Sequence, residues 1–393
     1  MLLQISSLKG YQWPKGDPLE TEQVTRIKSD QDLELITKCS HAPTVEWKLF
    51  HKNTFSMGVA EKIFFLLTHQ HFQFNPMKRV RAEHRWLEII KKAVNNNQPI
   101  EIVYPLLCKI GNWAKQMHNT GSSAGEDAVF LFFDHLSNLL KEIYSPGLHF
   151  TILCDARLYN SAFQNSSIEV HNYINCIQKK VSILGLESLI DIFDYSSLLE
   201  KHVCQKYLTA YWRHHHEIHT SPRIALQGIK VDTLRESVKC SMNTRRLGMS
   251  YSDHRDLFSS AENTSNCFWD LVNHMADVAF QEVVATRKAC ADVNIFDFLW
   301  PDALRVTCHR GDKKGLWQIG LRPYPQYYNS SKLLPFHGIP LVRKRKKGKL
   351  SLEIHPEIVL RSNSSLVRVL KESGSEEVYF YDGSHLKYDD LSF

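Results

Sequence analysis

The apolar run Ile152-Leu153-Cys154 gives way directly to Asp155-Ala156-Arg157, an acid and a base set just past a stretch that reads as a strand. Ligands of open α/β sheets gather outside the carboxyl ends of the strands. There Asp155 could steer an amine or move a proton, and Arg157 could fork onto a phosphate or a carboxylate. The plainer alternative is an Asp-x-Arg ion pair capping the next helix. The same strand-then-polar order recurs in Tyr104-Pro105-Leu106-Leu107-Cys108-Lys109-Ile110-Gly111-Asn112, where Lys109 is either an anion clamp or a solvated surface lysine. In Arg305-Val306-Thr307-Cys308-His309-Arg310, strand alternation puts Arg305, Thr307 and His309 on one face. Such a face either lines a cleft or belongs to an exposed edge.

Other patterns narrow the chemistry. The chain has neither Gly-x-Gly-x-x-Gly nor Gly-x-x-x-x-Gly-Lys-Ser/Thr, which disfavours nicotinamide and P-loop nucleotide sites. Phosphate can still be held by scattered Arg and Lys or by a helix N-terminus. In His214-His215-His216-Glu217-Ile218-His219, His215 and His219 stand one helical turn apart, but no third ligand is evident. The stretch reads as a polar helix end, and no metal site is assigned. The basic run Arg343-Lys344-Arg345-Lys346-Lys347, flanked by strand-like segments, reads as a solvated hairpin turn rather than a nucleic-acid patch.

A framework must position these residues, and 393 residues suffice for one large domain or two ordinary ones. Hydrophobic residues at 43% and charged residues at 23% are those of a folded chain. No apolar run approaches the roughly 20 residues of a membrane-spanning helix. Met1-Leu2-Leu3-Gln4-Ile5 lacks the basic-then-apolar order of a secretory signal, so the expected location is the cytoplasm, with no membrane partner. The 9 dispersed cysteines contain no Cys-x-x-Cys pair, against a disulfide framework or zinc ribbon. A net charge of +6 suits anionic small substrates and is no nucleic-acid signature by itself.

Apolar positions recur at helical spacing over Val59 to Leu67 and Trp86 to Val94, behind a polar lead-in. Ile100 to Leu107 predicts a strand covered on both faces. A helix starting at Gly125-Glu126-Asp127 and stopped by Ser145-Pro146-Gly147 precedes a strand at Leu148 to Cys154. Ile168 to Ile183 and Leu198 to Trp212 read as helices around a strand at Leu189 to Phe193, and Val231 to Cys290 is mostly helical. Ala303 to Cys308 and Leu316 to Leu321 read as strands joined by the polar turn Arg310-Gly311-Asp312-Lys313-Lys314. The alternation predicts an α/β fold, a Rossmann-like and mainly parallel sheet with flanking helices. Three parts are expected: a helical N-terminal segment over 1–98, the core over 99–338, and a β-rich C-terminal extension over 339–393.

In order and spacing, several pieces resemble the isocyanide (isonitrile) synthases, also called the pyoverdine and dityrosine biosynthesis proteins. They are Pro105 to Asn112, Gly125-Glu126-Asp127-Ala128, Tyr144-Ser145-Pro146-Gly147 leading into Ile152 to Arg157, Phe298 to His309, and Leu334-Pro335-Phe336-His337-Gly338. The sequence departs from the family's usual Ser-Asp-Gly-Arg, Ile-His-Pro and Thr-Pro-Trp-His at Cys154-Asp155-Ala156-Arg157, Cys308-His309-Arg310 and Leu334-Pro335-Phe336-His337. The resemblance implies that the α-amine of an aromatic L-amino acid, tyrosine or tryptophan, condenses with the C2 ketone of ribulose 5-phosphate, whose carbon becomes the isocyanide. Phosphate elimination and carbon–carbon cleavage make this a lyase-type reaction of secondary metabolism with no redox cofactor and no obligatory metal. A downstream oxygenase is the implied partner for the product. On that chemistry Asp155, His309 and His337 become the acid/base candidates, and Lys109, Arg157, Arg310 and Arg246, with Arg245 beside it, the cations for the phosphosugar. A catalytically impaired sugar-phosphate-binding or regulatory relative is the alternative, and a nucleic-acid-binding protein using the basic run ranks below both.

Overall fold

The computed structural model describes residues 24–27, 46–69, 72, 83–106, 122–159, 162, 167–227, 229, 231, 266–307, 319–320, 338–344, 350–355, 360, 365–371 and 377–382. In chain order come β1 (Val24–Ile27), α1 (Trp47–Asn53), α2 (Val59–Leu67), α3 (Glu83–Asn95), β2 (Ile100–Pro105), α4 (Ala124–Lys141), β3 (Leu148–Cys154) and α5 (Ser167–Ile183). They are followed by β4 (Ile190–Asp194), α6 (Tyr195–Thr220), α7 (Pro222–Ala225), α8 (Asn266–Val293), α9 (Ile295–Leu299), β5 (Leu304–Thr307) and β6 (Ile319–Gly320). The last strands are β7 (Ile339–Lys344), β8 (Leu350–His355), β9 (Leu366–Lys371) and β10 (Glu377–Asp382).

β2 to β6 form one sheet in the order β4-β3-β2-β5-β6, and every neighbouring pair is parallel. This is the expected Rossmann-like α/β class, with the order reversing between β2 and β5. The sheet is covered on both faces because its strands are apolar on both. Ile102, Tyr104, Phe150 and Ile152 join the large core with α4 and α5. Val103 and Leu153 point the other way, onto Tyr195, Leu199, Ile295 and Phe296. Phe150 stacks on Phe133 of α4 at 4.3 Å between ring centroids and 14° between planes.

Local chemistry sets the element ends. Ser123 caps α4 through a capping box: the Glu126 carboxyl accepts from the Ser123 amide at 2.6 Å and hydroxyl at 2.8 Å, and the Gly125 amide donates to Ser123 Oγ at 3.2 Å. Gly147, at φ +72°, makes the turn between α4 and β3. Its Cβ, if present, would stand 3.0 Å from both Ser137 Oγ and Lys141 Cε.

One sequence expectation needs correcting. β5 and β6 pair in parallel, Val306 against Ile319 and Thr307 against Gly320, so Arg310-Gly311-Asp312-Lys313-Lys314 cannot be a turn that reverses the chain between them. Its own residues lie outside those described. β7 and β8 are antiparallel with Lys344 opposite Leu350, the register of a hairpin, while Arg345, Lys346 and Lys347 of the basic run lie outside the described residues. A second sheet runs β1-β9-β10-β7-β8, taking one strand from the first hundred residues and four from beyond 338. Val342, Leu352 and Ile354 tie it to the large core.

Candidate functional site

Asp155 is the first residue past β3 and is half-buried. Its carbonyl accepts from the Leu158 amide at 3.2 Å, closing the 3-10 turn Ala156–Tyr159. That turn aims Arg157 at the next strand–helix junction. Nη1 of Arg157 donates to Asp194 Oδ2 and to Ser197 Oγ, each at 3.1 Å, and Nη2 donates to Glu200 Oε1 at 3.1 Å. Asp194 ends β4 and caps α6, accepting from the Ser196 amide at 3.0 Å. An arginine ion pair at a helix cap therefore exists, but its acid is Asp194 and not Asp155.

The charge of Asp155 instead acts on a buried thiol contributed by a distant element. Burial pushes the Cys290 thiol of α8 up to about 12, with the charge of Asp155 adding to the rise and that of Arg305 opposing it. The Tyr195 hydroxyl stands beside this thiol without a well-formed hydrogen bond. Burial holds its phenol well above the usual range, with the Cys290 charge next in weight. Arg305 answers the question its strand raised. β5 runs between β2 and β6, so Arg305 and Thr307 do not stand on an edge strand, and His309 lies outside the described residues. The guanidinium lies over the Phe296 ring at 4.0 Å, Nη1 donates to Asn294 Oδ1 at 3.4 Å, and Nε has no partner among the described residues. Burial lowers its pKa.

The other expected site residues, Lys109, Arg245, Arg246, His309, Arg310 and His337, lie outside the described residues. Their places in the chain still bear on the site. Lys109 follows the end of β2, and His309 and Arg310 follow the end of β5. These are the two strands flanking the point where the sheet order reverses, where open α/β sheets leave a crevice for ligands. Of the eight predicted residues, Asp155 and Arg157 are the pair whose placement is described.

A cavity of about 220 Å³ opens beside them, walled by Leu158, Leu199, Tyr207 and Leu208, with Arg157 and Glu200 at its edge. The Tyr207 phenol, pushed up to about 12 chiefly by burial, also feels the charge of Cys290. Through Tyr207 and Cys290 the cavity adjoins the surroundings of Asp155. Sequence reading assigned no role to Tyr195, Glu200 or Cys290. Asp194 carried a usable signal, since it follows an apolar strand as Asp155 does and precedes Ser196 and Ser197 in N-cap spacing. Nothing local marks Cys290.

Two other patterns resolve as structure. Gly121-Ser122-Ser123-Ala124-Gly125 has the spacing of a nucleophile elbow, yet Ser123 is the buried cap of α4 and its hydroxyl is spent on Glu126. The histidine run occupies the last turns of α6. His214 Nε2 meets Asp292 Oδ2 at 2.5 Å and Nδ1 meets Glu217 Oε2 at 3.0 Å, while Arg213 also pairs with Asp292, so the run fastens α6 to α8. Among the described residues no group of three or more His, Cys, Asp or Glu is arranged to hold a metal. Nor, among them, is any helix long and apolar enough to cross a membrane.

A parallel sheet covered on both faces, with Asp155 and Arg157 just past the end of β3, defines an α/β protein. The family is known: the pyoverdine/dityrosine biosynthesis protein family matches residues 90–353, well over half of the chain, and the chain belongs to it. An L-tryptophan isonitrile synthase of Fischerella ambigua is 25% identical over 112 residues, 28% of this chain and 34% of that protein. The match thus spans about a third of the relative's length. The crystal structure of the PvcA protein of Pseudomonas aeruginosa superposes with a TM-score of 0.59 at 15% identity, covering 82% of this chain and 99% of that one, a likeness of fold.

Proposed function

We propose that this protein is an isocyanide synthase of lyase type, joining the α-amine of an aromatic L-amino acid to C2 of ribulose 5-phosphate and carrying that carbon into the isocyanide. The supporting observation is the position of Asp155. Within the region matched to the family, it is the first residue past β3, and its charge acts on the buried Cys290 thiol, which also feels Tyr195 and Arg305. The chemistry asks for a group that takes the ammonium proton, acids and bases beside an imine, and cations for a phosphate dianion. Asp155 serves the amine, with His309 and His337 as the further proton carriers. Lys109, Arg246 and Arg310 hold the phosphosugar. Arg157, with carboxylates on both terminal nitrogens, has no uncommitted charge for a dianion and stands apart from them. Desolvation around Cys290 and Tyr195 strengthens every charge interaction in the site. A downstream oxygenase would act on the released isocyanide.

The test is mass spectrometry of the purified protein with ribulose 5-phosphate carrying carbon-13 at C2 and a mixture of amino acids. A labelled product at the mass of one amino-acid isocyanide, with phosphate released, supports the proposal. Asp155→Asn should abolish it in a folded protein. Retained ribulose 5-phosphate binding without product would point to an impaired or regulatory relative, and neither product nor binding would refute the family-based reading of function.

A further inference from the structure

We propose that the cavity at the head of α6 is the seat of the amino acid, and that Arg157 takes the substrate carboxylate by exchanging it for Glu200 while Asp194 keeps hold of its other nitrogen. This rests on the isocyanide-synthase reading. The geometry separates the two sides of the guanidinium. Asp194, only 16% exposed, grips Nη1 from within, whereas Glu200, 59% exposed, meets Nη2 at the rim. The inner pair fixes the plane of the fork; the outer one is an ion pair open to solvent and is therefore weakly held. A substrate carboxylate entering the cavity can take the contact with Nη2 that the two Glu200 oxygens make now, at 3.1 and 3.5 Å, while Glu200 turns out into solvent at the rim.

The walls fit the rest of an aromatic amino acid. Leu158, Leu199 and Leu208 offer apolar contact, and the Tyr207 ring offers an aromatic face. A volume of about 220 Å³ is below the roughly 300–1,000 Å³ of sites for larger ligands, suiting one amino acid better than a nucleotide. Arg157 is two residues beyond Asp155, which puts the seat and the acid/base candidate at the same strand end, that of β3. Glu200 thus acts as a placeholder and Arg157 as a positioning residue.

Calorimetry of the full chain with L-tyrosine, L-tryptophan and, separately, ribulose 5-phosphate tests this. Arg157→Gln should weaken the bound aromatic amino acid roughly 10- to 100-fold, the range for loss of hydrogen bonds to a charged group. Glu200→Gln should instead tighten it, by roughly 1.4- to 5-fold, as a weak competing pair is removed. Leu208→Trp, at a position 42% exposed where a larger side chain does not burden the core, should fill the cavity and abolish amino-acid binding with circular dichroism unchanged. Phosphosugar affinity should stay within about twofold in all three. Weakening by Glu200→Gln, unaltered binding in Leu208→Trp, or an Arg157→Gln defect in ribulose 5-phosphate binding would each overturn the proposal. If the wild type binds the amino acid as described but forms no labelled isocyanide, the reaction is wrong and the seat stands. If product forms and the variants bind normally, the seat is wrong and the reaction stands.

Discussion

Glu126 belongs to one of the segments that resemble the isocyanide synthases, yet its surroundings give it a structural task that can be measured. Its side chain is 0% exposed and satisfies three donors: the Ser123 amide at 2.6 Å, the Ser123 hydroxyl at 2.8 Å and the Tyr173 hydroxyl at 3.1 Å. Glu126→Ala strands the amide and the phenol in the interior. At about 1–3 kcal/mol for each unsatisfied buried donor, the cost is about 2–6 kcal/mol, centred near 4. Glu126→Gln keeps the shape. Its oxygen still accepts from Ser123, its amide can donate to the Tyr173 oxygen, and the loss is about 1 kcal/mol. With an unfolding slope of about 3 kcal/mol/M in urea, the midpoint should fall by about 1.3 M for Ala and about 0.3 M for Gln. Equal shifts for the two variants would refute the hydrogen-bond accounting. So would a Gln variant of unchanged midpoint that has lost turnover, because the carboxyl would then be taking part in chemistry.

Three further outcomes are expected. His149 Nδ1 donates to Glu101 Oε2 at 2.9 Å, and this bond, with the charges of Glu101 and Asp191, raises its pKa against the opposing effect of burial. A raised folded value means stability that is fully present below the unfolded pKa of about 6.5 and lost as pH rises through the folded value. The melting temperature of wild type should therefore drop relative to His149→Gln on going from acid to alkaline pH, and a constant difference would contradict this. Gly147→Ala, forcing a side chain onto φ +72° with 3.0 Å approaches, should cost about 1–3 kcal/mol in the same urea assay, whereas Gly185→Ala, at φ +66° with nothing within 4 Å, should cost less. At pH 8, mass-mapped iodoacetamide labelling should modify exposed Cys204 and spare Cys290, whose thiol burial has pushed up to about 12.

Much of the α/β core was legible because its signals are local. The strand expected over Leu148 to Cys154 is β3 to the residue, and the helix through Phe130 and Leu136 is α4, begun one residue earlier because Ser123 and Glu126 form a capping box that the reading had not used. The strand ends pointed correctly to Asp155 as a residue outside the sheet. What stayed hidden depends on chain segments that meet only on folding. Arg157 finds its acids 37 and 43 residues away, at Asp194 and Glu200, where proximity in sequence had suggested Asp155. Cys290 reaches Asp155 from a helix begun at Asn266. β1 emerges from a lead-in whose residues carry no strong strand pattern, because its identity comes from pairing with β9.

That pairing has a consequence for how the chain comes into being. Val24 lies against Arg368 and Ile27 against Lys371, so β1 must wait for a partner strand made much later in synthesis. At roughly 5–20 residues per second of synthesis, the interval is on the order of 17–70 s. The parallel sheet can be assembled in that time from segments already present, whereas β1 has no sheet partner until β9 is made. Nascent chains halted before residue 366 should therefore leave Val24–Ile27 open to protease, and synthesis of β9 should close it, so that neighbours in that sheet are joined in an order unlike that of their manufacture.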